Sequence, residues 1–404
     1  MTKALRYIWM ALLAGCNTTS GVDSVSPAVH ALPSATIVHQ STPTTVPLTL
    51  RYQKLYVDVI INHQPVTMVL DTGSPTIIDK QLADQLGLQT LSLQTGLDGN
   101  RLPISMEKAM LHEMTLGNIE ITDFPVLIHD FQRAPVAKCI IENGVIGADL
   151  LPYFNWQFDV QQHALTIAPR SVPFSTDGAL WHGELVDAGY PHYPIVKYGV
   201  GEYFVDNALL DTGFGGLLHI NQLAAEAIGP HSMIAQGFGQ LMQSAGGATK
   251  NNDYQQIALE NMTIAGKPFA NLESWIRPTP PTLVGIQLFV SHRLTLDYQN
   301  NRISLSPNDV VPPVTPNWGM RLYFDKTQLK VSFVEAGGIA DNANIRLGDT
   351  VLSINEWDFT PATKETLCSH FDALWHQLNQ SEITLKLRRE QDVSILKLNA
   401  TSTR

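Results

Sequence analysis

Charge is scarce in this chain of 404 residues: Asp, Glu, Lys and Arg supply 16% of it, against about a quarter in an average soluble protein. Base is scarcer than acid, 26 Lys and Arg against 37 Asp and Glu, for a net charge of −11. That balance argues against a nucleic-acid partner and against electrostatic docking on anionic lipid. Cysteine is almost missing. Beyond Cys16 only Cys139 and Cys368 remain, far apart and in segments of different character, so a structural disulfide is not expected. Cys139, close before an apolar strand, reads as a buried thiol. No metal-ligand spacing, His-Glu-x-x-His or Gly-x-Ser-x-Gly occurs, nor a Ser-x-x-Lys pair with its companion motifs. The common zinc and serine chemistries are thereby set aside. The apolar run Tyr7 to Leu13 is far too short to cross a bilayer. What the chain does have is 44% hydrophobic residues, ample for a core, and a length that suggests two or three domains.

It also has a repeat. Asp71-Thr72-Gly73 and Asp211-Thr212-Gly213 each follow an apolar strand, Met68-Val69-Leu70 and Ala208-Leu209-Leu210. One such tripeptide is weak, with roughly one chance in ten of arising in a chain this long. The flanks repeat as well. Helix-like stretches follow, Asp79 to Leu88 and His219 to Ile228, then an apolar-apolar-Gly triplet, Val145-Ile146-Gly147 and Leu283-Val284-Gly285. Each half closes on a strand-turn-strand, Phe158 to Pro169 and Leu296 to Pro307. One ancestral unit is present twice, with one carboxylate per unit.

Two carboxylates meeting across a pseudo-twofold axis form an acid–base device. At about 3 Å and an effective dielectric near 20, two unit charges repel by roughly 5 kcal/mol. The pair therefore holds one proton over a broad range of pH. One oxygen can take a proton from a water while the protonated partner donates to a carbonyl. Gly73 and Gly213 permit the tight turns, and Thr72 and Thr212 are placed to bond across the axis. The triplet glycines suit a strand passing close under each Asp loop.

Both repeats resemble the retropepsin-like aspartic protease family, fused in tandem into a bilobal, pepsin-like chain over roughly Leu48 to Pro307. The resemblance implies a mainly β fold of two β-barrel lobes, 48–172 and 173–308, with Asp71 and Asp211 catalytic. It implies protein or peptide substrates, a monomeric protease unit, and neither metal nor cofactor. Two departures stand out. Phe214 occupies the place of Ser74, where the family has Ala, Ser or Thr, and Phe cannot bond the outer carboxylate oxygen. Asp211 is expected to have the less polar surroundings. Ala148 and Ile286 stand where the family often carries Arg. A working site also needs a hairpin flap. The candidates are the turn Thr95 to Asn100, with Gly96 and Gly99, and in the second lobe Gln236 to Gly239, with Gly237 and Gly239, or Ala245 to Gly247. The aromatic group Trp181, His182, Tyr190, His192, Tyr193, Tyr198 and Tyr203 reads as core or interlobe packing.

The N-terminus has a signal-peptide layout over residues 1–15, Lys3 and Arg6 preceding the apolar run. Leu13-Ala14-Gly15-Cys16 resembles a bacterial lipobox, which implies lipidation of Cys16 and a membrane anchor facing the periplasm. Asn17 leans toward the outer membrane. Residues 16–47, rich in Ser, Thr, Pro and Val, read as a flexible tether. A Pro-rich hinge spans 309–316. Beyond it, 317–404 resembles a PDZ domain, an α+β module. The resemblance rests on the run Gly338 to Asn355, with its Ala-x-x-Ala helix and Gly-Asp turn, and on the amphipathic stretch Thr363 to Leu378. A peptide groove is implied at Trp318, Gly319, Met320, Arg321 and Leu322, for a partner or substrate strand. Phe214 keeps open a rival reading, a lipid-anchored peptide-binding scaffold whose lobes have lost activity.

Overall fold

A hairpin with a short turn sets the register from which each repeat grows. Asn62 and His63, with φ of 45° and 67°, join Lys54–Ile61 to Gln64–Asp71 in the left-handed turn that matches strand twist. Leu55 pairs with Leu70 and Ile61 with Gln64, and Leu55, Val57, Val59 and Ile61 point to one buried face. The second repeat makes the corresponding hairpin from Pro194–Val200 and Phe204–Asp211, with a three-residue connection between the paired Val200 and Phe204.

The strand bearing each aspartate then runs parallel to its Gly triplet, Asp71 beside Gly147 and Asp211 beside Gly285. Each triplet strand is also antiparallel to a short strand, Ile77–Asp79 or Leu218–Asn221. The two threadings are identical. A helix follows each short strand, Lys80–Gln85 capped by Asp79 and Gln222–Ile228 capped by Asn221. These caps each satisfy an otherwise orphaned helix N–H.

The computed structural model describes residues 35–38, 42–175, 178–202, 204–245, 247–309, 316–360, 363 and 365–402. The leader, Cys16, most of the tether, hinge residues 310–315, Tyr203 and Gly246 lie outside the described residues. The chain is mainly β, and its β-barrel sheets are those expected of an aspartic protease domain. The lobes join through one antiparallel sheet. Phe154–Asp159 pairs with Ala164–Pro169 and with His292–Asp297, which pairs with Arg302–Pro307. Thr44–Pro47 and Trp181–Asp187 close its two edges. Trp156, Phe158 and Phe289 are fully buried on it, each aromatic worth on the order of 2–3 kcal/mol of burial.

The tether expected over 16–47 is therefore too long. Thr36–Val38 pairs with Ile119–His129, and Thr44–Pro47 forms an edge of the interlobe sheet. Thr and Val, read as tether composition, are β-branched residues that fit a pleated edge.

After residue 316 a separate core gathers Trp318, Met320, Leu329, Val331, Ile354, Phe371 and Leu374. Met320–Asp325 pairs with Gln328–Glu335, Thr350–Ile354 with Glu382–Arg389, and the latter with Asp392–Asn399. The helix Leu367–Leu378 covers this sheet. The expectation of no disulfide is overturned here: Cys139 and Cys368 are bonded, their Cα atoms 5.1 Å apart. Cys139 is on the helix Pro135–Ile140 of the first lobe and Cys368 opens the helix Leu367–Leu378. A sequence separation of 229 residues hid a contact that only the packing of these two helices creates.

Candidate active site

Each aspartate ends a strand, and the following glycine leaves the space its counterpart needs. A Cβ on Gly73 would lie 2.5 Å from Cγ of Asp211, and one on Gly213 would lie 2.5 Å from Cγ of Asp71. The two carboxylates thus face each other across the axis, each over the other's loop. Gly73 N–H donates to Asp71 Oδ1 and Gly213 N–H to Asp211 Oδ1, both at 2.8 Å.

The threonines hold the pair in register. Thr72 N–H donates to Thr212 Oγ1 at 2.9 Å, and Thr212 N–H to Thr72 Oγ1 at 3.0 Å. Each hydroxyl in turn donates across the axis, Thr72 to the carbonyl of Leu210 at 2.6 Å and Thr212 to that of Leu70 at 2.7 Å. Both threonines are fully buried, so these four bonds act in a low dielectric where they are strongest. The triplet glycines behave as read from sequence. A Cβ on Gly147 would sit 2.1 Å from the Pro75 carbonyl carbon, and one on Gly285 2.4 Å from the Gly216 carbonyl oxygen.

Electrostatically the pair is primed to share a proton. Burial, then the charge of Asp71, pushes the Asp211 carboxyl up to about 7. Burial also raises Asp71, against hydrogen bonds from the loop backbone and the charge of Lys54. The charges around the pair are those of Lys54 and Arg277, and Tyr193 feels both aspartates, its hydroxyl held neutral by burial.

The loops beneath the two acids differ. Under Asp71, Ser74 Oγ donates to the Pro75 carbonyl at 2.8 Å, and Thr76 donates to buried Asp149 through N–H at 3.0 Å and Oγ1 at 2.6 Å. Under Asp211, Phe214 packs on His219 with the two rings tilted, their centroids 4.4 Å apart. Gly216 and Gly285 leave room for that ring, since a Cβ on either would lie within 2.5 Å of it. Burial, with Arg277 and Arg321 adding, depresses the His219 imidazole to about 3, so it is neutral. Apolar packing thus replaces a polar anchor on the Asp211 side.

The first-lobe hairpin Ser92–Leu97 and Pro103–Leu116 closes through a turn in which Asp98 Oδ1 accepts from Asn100 and Leu102 N–H. Gly99, at the tip, accepts from Arg277 through its carbonyl at 2.6 Å; Gly96 lies on the strand below. In the second lobe the matching hairpin is Gln243–Ser244 with Gly247–Ala248. Its Ser244 hydroxyl bonds Asp98, and Asn100 donates to the Gly247 carbonyl at 3.3 Å. The two tips touch.

The other flap candidate is corrected. Gly237 and Gly239 lie in Ser232–Gly239, paired with Glu335 and Phe333 of the C-terminal module. A Cβ on Gly239 would be 2.1 Å from the Ser332 carbonyl oxygen. These glycines admit a neighbouring backbone and make no free turn.

The remaining candidates are dispersed. Trp318 is buried, its Nε1 donating to the Leu378 carbonyl at 2.9 Å, and Met320 is in the module core. Gly319, at φ 65°, accepts from Glu335 N–H. Leu322 is half-buried against that core, and Arg321 acts on His219. Three residues near the site went unread in sequence. The turn Tyr52-Gln53 sends Tyr52 onto Phe371 and Trp375 of the module, its hydroxyl bonding Asp372, while Gln53 reaches the Gly215 loop. Lys54 follows directly.

No curated protein matches the chain. Residues 57–150, which run from the first hairpin through Asp71 to just past Gly147, match the family model described as aspartyl protease.

Proposed function

We propose that this chain is an aspartic endopeptidase that cleaves peptide bonds with a water activated between Asp71 and Asp211. The observation that carries the reading is the reciprocal seating of each carboxylate over the other lobe's glycine, locked by the four threonine bonds. The ionised member of the pair takes a proton from the water, which adds to the scissile carbonyl. The protonated member donates to the carbonyl oxygen as it becomes tetrahedral. A proton then passes to the amide nitrogen and the C–N bond breaks. The touching hairpin tips support a cleft that closes over an extended peptide. Both acids come from one chain, so no dimer is needed to assemble the site.

Two further parts belong to the proposal. The order of strands and helices after residue 316, with Trp318 set against the end of the Leu367–Leu378 helix, supports a PDZ module that takes a peptide strand. The sequence around Cys16 supports a lipid anchor in the bacterial envelope, facing the periplasm. The test is cleavage of an unfolded protein by the purified chain. Asp71→Asn and Asp211→Asn should each cut the rate by about a thousandfold or more with the fold intact by circular dichroism. Equal cleavage by parent and variants would refute the assignment, and peptide binding by an inert parent would make the chain a scaffold.

A further inference from the structure

The first hairpin brings a charge to the acidic pair. Its register adds to a constant: Ile61 pairs with Gln64 and Leu55 with Leu70. Counting one further step places Lys54, the first residue of its strand, opposite Asp71, the last residue of its own. Directly opposed residues share a face of the sheet with Cβ atoms about 5 Å apart. The hairpin end is held from two sides. Tyr52 is seated on the C-terminal module, and Gln53 abuts Gly215 in the loop after Asp211. Arg51, the cross-strand neighbour of Lys54, is occupied elsewhere, its guanidinium over the rings of Tyr52 and Tyr56 at 4.9 and 4.8 Å.

We propose that Lys54 is a positioning residue for the acidic pair: standing across the hairpin from Asp71 on the same face of the sheet, it keeps one negative charge on the two carboxylates and sets the pH at which they share a proton. This rests on the protease reading of the site, which it deepens. Lys54 interacts with both aspartates, and their charge offsets the burial that lowers its own pKa. The other groups facing the pair are Arg277, from the second-lobe strand Lys267–Arg277, and Tyr193. Arg277 is already bonded to Gly99 at the flap tip. A nearby cation favours the ionised carboxylate, so it lowers both steps by which the pair loses its protons. Removing it raises both.

The experiment is a titration of the carboxylates in the full chain, with Asp labelled for carbon NMR and Asp71→Asn and Asp211→Asn used for assignment. Lys54→Met should move both steps up by about one pH unit, and Lys54→Arg should leave them where the parent has them. Lys54→Gln provides the same loss of charge if the Met variant folds poorly. The pH profile of kcat/KM should shift alkaline by the same amount. Steps that stay in place in both uncharged variants overturn the proposal, whatever those variants do in assays. A parent that cleaves nothing, yet whose steps move when Lys54 is neutralised, would instead refute the protease reading and leave the role of Lys54 standing.

Discussion

At the scale of single residues, the two acids differ in what holds them up. Asp71 stands on a loop pinned by the Thr76–Asp149 bonds, and Asp211 on one packed by Phe214 and His219. The proton of the pair is governed by the Asp211 carboxyl, pushed up to about 7 by burial and by Asp71. Water attack needs one proton on the pair. Above pH 7 that proton leaves, so kcat/KM should fall about tenfold per pH unit on the alkaline side. A profile that stays level to pH 9 would contradict this. The aspartates, threonines and glycines were legible because the chain contains its own comparison. Phe214 was legible as a departure, though its packing on His219 was not. Lys54 escaped notice because nothing about the residue is distinctive. Its place follows only from counting back from the Asn62-His63 turn, whose residues do signal a hairpin.

At the scale of elements, the two hairpin tips are joined by the Ser244–Asp98 and Asn100–Gly247 bonds, on which the proposed grip on a peptide would rest. Ser244→Ala removes a bond to Asp98 and Asn100→Ala one to Gly247. With about 1 kcal/mol in each, the double variant should raise KM about tenfold or more while kcat changes little. Steady-state kinetics on a peptide decide it, and an unchanged KM would mean that the tips do not grip. The first-lobe hairpin was readable from its glycine-punctuated turn. The second was ambiguous for a physical reason. Glycine marks both a turn and a close approach of backbones, and Gly237 and Gly239 serve the second purpose against Phe333 and Val334.

At the scale of the whole molecule, the fastenings of lobes to C-terminal module among the described residues include the disulfide, the seat of Tyr52, and the pairing of Gly237–Gly239 with Phe333–Glu335. A bond that closes a loop of more than two hundred residues restricts the unfolded chain strongly, with typical gains of about 2–4 kcal/mol. Cys139→Ser should lower the denaturation midpoint accordingly, and reductant should do the same to the parent but not to the variant. A parent indifferent to reductant would rule this out. Neither the disulfide nor the strands at Thr36–Val38 and Thr44–Pro47 could be read locally. Each depends on a partner that folding brings from far along the chain.

The pairing of Ser232–Gly239 with Gln328–Glu335 has a mechanical consequence. From Met320–Asp325 through Gln328–Glu335 and Ser232–Gly239 to Asn252–Ile264, four strands form one unbroken hydrogen-bonded ribbon. The second hairpin tip hangs between the last two of them. A load placed on the module's outer strand would therefore reach that tip through backbone hydrogen bonds alone.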